Sequence, residues 1–110
     1  MGTTKTDLFT KEQNDIAAMA KAIAHPARIA ILQYLVKENT CITSNFVEEL
    51  GLAQATVSQH LKELKLAGII QGTIEGASVC YCINPKIWKQ YQILFNSFFK
   101  DVNLTNQDCC

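Results

Sequence analysis

The sequence predicts a mainly α-helical fold with one small β-hairpin (α+β). Three observations predict it: apolar residues recur every three to four positions over most of the chain, glycines follow two of these stretches at Gly51 and Gly68, and residues 69–83 switch to strand-like alternation. The predicted order is four helices, two strands and a fifth helix.

Residues 1–9 are polar and predict a flexible N-terminus. Thr10, with Gln13 three residues on, has the spacing of a capping box and opens the first helix. Ile16, Met19, Ala20 and Ile23 then form one apolar stripe. The pair His25-Pro26 interrupts it, since proline disfavours helix in the residue before it but suits the first turn of a new one. A second helix is expected from Pro26 to Glu38, turning Ile29, Leu32, Leu35 and Val36 inward.

After the polar break Asn39-Thr40, a short third helix is expected at about Ser44 to Leu50, with Phe46, Val47 and Leu50 on its apolar face and Gly51 as its stop. The fourth spans about Gln54 to Ala67, closed by Gly68, with Val57, Leu61 and Leu64 on its packing face. Ile69–Ile74 and Ser78–Ile83 read as two strands about a tight turn at Glu75-Gly76, with Val79, Tyr81 and Ile83 on one side of the second. Asn84-Pro85 supplies an N-cap and a first-turn proline for the last helix. That helix carries Ile87, Trp88, Tyr91, Leu94, Phe95, Phe98 and Phe99 at steps of three and four.

The chain has 110 residues, 48% of them hydrophobic and 18% charged, with ten basic and ten acidic side chains and a net charge of zero. That length suits one domain, expected over residues 10–100, with 101–110 as a flexible cysteine-containing tail. A balanced charge gives no global attraction to nucleic acid, so any such contact must be local. No apolar run is long enough to span a bilayer and the N-terminus has no signal-peptide core, so a cytoplasmic protein with no membrane partner is expected. Catalysis is not expected, because a nucleophile, base and cleft have little room here and no Cys-x-x-Cys is present.

The stretch FVEELGLAQATVSQHLKELKLAGII describes two short helices joined by a glycine-containing turn, a helix-turn-helix. Gln54, Thr56, Ser58, Gln59 and Lys62 point outward from the second helix, and with His60 and Lys65 they are the expected DNA-binding residues. A glutamine amide both donates and accepts, which matches the adenine edge in the major groove. The hydroxyls suit base edges or phosphates, and the two lysines suit the backbone. The hairpin that follows would act as a wing, making the fold a winged helix-turn-helix.

On these motifs the chain resembles the ArsR/SmtB family of metal-responsive winged-helix repressors over about residues 12–100. KAIAHPARIAILQYL is similar to the family's opening signature, GLAQATVSQHLKELKLAGII to its recognition helix and EGASVCYCI to its wing. The resemblance implies a homodimer built from the first and last helices, with Ile16, Met19, Ile23, Trp88, Tyr91, Leu94, Phe95 and Phe98 at the interface. It also implies repression at a palindromic double-stranded operator, relieved by an effector. Two departures stand out. Residues 72–84 carry a single charge, Glu75, where family wings are rich in arginine, and Ala53 provides no capping side chain. The single arginine, Arg28, lies in the opening signature and reads as structural.

The family's sites on the last helix use histidines, and neither His25 nor His60 lies there. At its cysteine-x-cysteine position this chain keeps Cys41 but has Thr43. Cys41, Cys109 and Cys110 can together offer three thiolates to trivalent arsenic or antimony. Cys80 and Cys82 share one strand face as a second pair, thiol oxidation is a third option, and no effector or an unidentified one is a fourth. A winged-helix module that binds protein rather than DNA, without metal sensing, is the alternative that the neutral charge favours.

Overall fold

The computed structural model describes residues 8–38, 50–75 and 78–100, and only the backbone of 73–75, 78 and 79. Within them lie helices α1 (Lys11–Ala22), α2 (Pro26–Glu38), α3 (Gln54–Leu66) and α4 (Pro85–Lys100) and strands β1 (Ile70–Glu75) and β2 (Ser78–Ile83). The helix expected before Gly51 lies outside the described residues except for Leu50.

Local chemistry sets the helix ends. At α1 the capping box is complete: Gln13 N–H donates to Thr10 Oγ1 at 3.1 Å and Thr10 N–H to Gln13 Oε1 at 3.0 Å. Pro26 opens α2, and the ring of His25 caps it by accepting the Ala27 N–H at Nδ1, 3.0 Å away. Asn84 Oδ1 accepts the Lys86 and Ile87 amides at the start of α4. Gly68, at φ +83°, ends α3 in a left-handed turn, with Ile69 N–H donating to the Leu64 carbonyl and Gly68 N–H to that of Lys65.

That turn corrects the expected strand start. Ile69 spends its amide on the helix cap, so the ladder begins at Ile70, which pairs with Ile83. At the far end Glu75 pairs with Ser78, so it belongs to β1 and not to the turn. Gly72 faces Tyr81 across the ladder, where a Cβ would come within 2.8 Å of the tyrosine ring and 2.9 Å of the Cys80 carbonyl.

The core joins Ile31, Leu32 and Leu35 of α2 to Val57, Leu61 and Leu64 of α3, with Ile69, Ile70 and Tyr91 closing it. Tyr81 and Ile83 lean on it from β2, as alternation requires. Two residues expected inside α2 are not: Ile29 is 40% and Val36 47% exposed, while Ala27 and Ile31 are buried. Apolar spacing counts every apolar residue toward the core, but α2 is apolar on more than one side. No described helix is long and apolar enough to cross a membrane.

Candidate nucleic-acid interface

α3 is two-sided. Val57, His60, Leu61 and Leu64 are buried, whereas Gln54, Thr56, Ser58, Gln59, Lys62 and Lys65 are exposed. Ala53 is the N-cap and contributes no side-chain bond, which leaves the first amides of the helix open. Two pairs one turn apart order the exposed face: Gln54 Nε2 donates to Ser58 Oγ and Gln59 Nε2 to Glu63 Oε2, both at 3.1 Å. Each leaves its glutamine carbonyl oxygen outside the pair.

His60 corrects the expected DNA-facing set. It is only 8% exposed, because its place on the helix turns it toward the α1–α2 junction. There its Nδ1 accepts a hydrogen bond from Arg28 Nε at 3.1 Å, and Arg28 Nη1 donates to the Ala22 carbonyl at 3.0 Å. The His25 ring lies 4.3 Å from that of His60, centroid to centroid. One guanidinium thus ties the end of α1, the start of α2 and the middle of α3 together. Burial pushes the His60 pKa below the ordinary 6.5, helped by His25 and Arg28 and opposed by Glu63. Nothing in residue spacing links Arg28 to a histidine 32 positions away; the only available signal was its place in the signature.

The residues expected at the dimer interface fall into two groups. Ile16, Met19, Ile23, Leu94 and Phe95 are half-buried, with Met19, Ile23 and Phe95 packed on the protomer's own core. Trp88 and Phe98 are 36% and 55% exposed, and Ile93 and Phe99, at 56% and 69%, extend the same apolar helix outward. Tyr91 is corrected: at 8% exposure it belongs to the core of its own chain. No α1 residue is fully buried, although α1 packs along α4.

Of the thiols, Cys41, Cys109 and Cys110 lie outside the described residues. Cys82 is free and accepts a weak hydrogen bond from Gln71 Nε2 at 3.8 Å, whereas Cys80 is disulfide-bonded. Cys80 and Cys82 are therefore not a pair of free thiolates, which corrects the expected second pair. Among the described residues no three His, Cys, Asp or Glu side chains gather as a metal site.

The family model for bacterial regulatory proteins of the arsR family matches residues 25–71, from the His25 cap to the start of the wing. The chain is 41% identical over 63 residues to the HTH-type transcriptional repressor SmtB of Mycobacterium tuberculosis, a match covering 57% of this chain and 46% of that protein. It thus spans about half the length of that relative. It is 34% identical over 74 residues to the transcriptional repressor PagR of Bacillus anthracis, covering 66% of this chain and 74% of PagR. In fold it is similar to a homodimeric winged helix-turn-helix DNA-binding domain from Mycobacterium bovis, with a TM-score of 0.63, 20% identity and 94% of each chain covered.

Proposed function

The chain belongs to the arsR family of bacterial regulatory proteins, and on that premise we propose that it is a DNA-binding transcriptional repressor that works as a homodimer on a two-fold symmetric operator. The observation that carries the reading is the exposed row Gln54, Thr56, Ser58 and Gln59, backed by a buried face of Val57, Leu61 and Leu64. Packing fixes the helix on one side while amides and hydroxyls are presented on the other, the arrangement that major-groove reading needs. Relatives that regulate transcription favour this reading over an enzymatic one.

Gln54→Ala and Gln59→Ala test it by fluorescence anisotropy on DNA from the protein's own promoter. Each is expected to weaken binding about tenfold or more, because a bidentate base contact is worth roughly 1–3 kcal/mol and is made twice in a dimer. Unchanged affinity in both variants would reject this face. A wing with Glu75 as its single charge favours a second reading, a module that binds protein. The same assay decides, since that module would bind no promoter DNA even at low salt.

For the effector we propose a thiophilic ion, trivalent arsenic or antimony, held by Cys41, Cys109 and Cys110 in the fully reduced chain, with the Cys80 disulfide opened, where three thiolates suit a pyramidal centre. Thiol oxidation is the competing route. Replacing Cys109 and Cys110 with serine should abolish arsenite-induced release of DNA and the accompanying thiolate absorbance. A normal arsenite response would remove both from the site.

A further inference from the structure

An apolar groove of about 600 Å³ runs between α2 and α4. Ile29 and Val36 form its α2 wall, Trp88 and Phe95 its α4 wall, and Leu32 and Ile69 lie at its floor. Both α2 wall residues are among the exposed large apolar side chains, although α2 already fills the core with its other face. The groove does not end at Phe95. That ring stacks on Phe99 at 6.4 Å, and Phe99 meets Phe98 edge-on at 5.1 Å, both more than half exposed. Groove and outer aromatic row are one apolar surface reaching from α2 to the end of α4.

Water-exposed apolar area of this kind is rare on a monomer, and a small domain gains most from covering it. A small apolar ligand would fill the groove but leave Phe98 and Phe99 in water. A second copy related by a two-fold axis covers both at once, because such an interface applies one patch to itself. Gln33, Lys37 and Gln92, all exposed, also line the groove and match the polar rim of a protein interface.

We propose that the α2–α4 groove is part of the homodimer interface, with Ile29 and Val36 packed against a second copy of this chain. The inference rests on the homodimer reading and extends it to α2. Since α2 packs directly on α3, the partner would then clamp the element that braces the recognition helix.

Ile29→Asp and Val36→Asp are exposed substitutions in the protomer, so the far-UV circular dichroism of each should match the native chain. Sedimentation equilibrium should show a dimer Kd raised about 100-fold, as expected for a carboxylate placed in a buried interface position. If the native chain is a dimer, Phe98→Asp dissociates it and both α2 variants stay dimeric with unchanged Kd, the groove lies outside the interface and the inference fails alone. A native chain that is monomeric at micromolar concentration defeats the homodimer reading with it. Trp88, the single tryptophan, gives a readout without mutation. Diluting the native dimer to monomer should red-shift its emission and raise acrylamide quenching, and constant emission across dissociation would overturn the proposal. So would binding of the apolar dye anilinonaphthalene sulfonate to the native dimer as tightly as to the monomer, which would mark the groove as open.

Discussion

Arg28→Ala is expected to destabilise the protein by about 3 kcal/mol in urea unfolding at fixed protomer concentration. The loss exceeds that of an exposed arginine because its two bonds end on groups that cannot easily turn to water. Arg28 Nε satisfies Nδ1 of His60, which is 8% exposed, and Nη1 satisfies the Ala22 carbonyl at the end of α1. Removing the donor leaves a buried acceptor unpaired, a cost of roughly 1–3 kcal/mol, and forfeits a second charge-assisted bond worth about 1.5–3 kcal/mol. Arg28→Lys should not restore the loss, since one ammonium cannot reproduce a planar fork with donors in two directions. Adding His60→Leu to Arg28→Ala should recover part of it, because the orphaned acceptor is then gone. The same pairing gives stability a pH dependence. Folded His60 binds its proton less readily than the ordinary 6.5 of the unfolded chain, so below that pH the unfolded state takes up more protons. The contribution is complete above pH 6.5 and falls as the pH drops from there through the lower folded value, a slope that His60→Leu should flatten. A stability within 0.5 kcal/mol of native for Arg28→Ala, an interval about the size of ordinary surface effects, would show that the three elements do not depend on this guanidinium.

Wherever one residue's local chemistry decides the outcome, the sequence was readable. Thr10 with Gln13, Pro26, Gly68 and Asn84-Pro85 each act within a few residues, and the ends they imply for α1, α2, α3 and α4 are those observed. The outward row of α3 was readable for a related reason, since Val57, Leu61 and Leu64 fix which side is dry. Reading failed where a helix has more than one apolar side. Ile29 and Val36 share spacing with the core, and Tyr91 shares it with the outer aromatics, so periodicity alone could not sort them between protomer and surface. His60 failed differently. A polar ring on a recognition helix reads as outward until its partner is known, and that partner lies in α2, far away in the chain.

Operator binding should be only mildly salt-dependent for a DNA-binding dimer, and this follows from charge counts that folding does not change. The chain carries ten basic and ten acidic side chains. On the exposed face of α3 the cations are Lys62 and Lys65, and residues 72–84 add none. In the proposed dimer the two copies of α3 would bring four lysines to the phosphates. Each neutralised phosphate contributes a slope of about −0.9 in log K against log salt, so the expected slope is roughly −3.6. Between 50 and 200 mM salt the affinity should fall on the order of 100-fold, against 10³–10⁵ for proteins making six to ten phosphate contacts. Lys62→Ala removes two of the four contacts per dimer and should lower the slope by about 1.8, weakening all DNA sequences alike. Gln59→Ala, by contrast, should leave the slope unchanged while narrowing the gap between operator and random DNA, because an amide reads bases without displacing counterions. Anisotropy titrations at four salt concentrations measure both quantities. A slope near −7 would mean that another basic surface, such as the exposed Lys86 and Lys89 of α4, also lies on the DNA, and the recognition helix would lose its place as the main electrostatic contact.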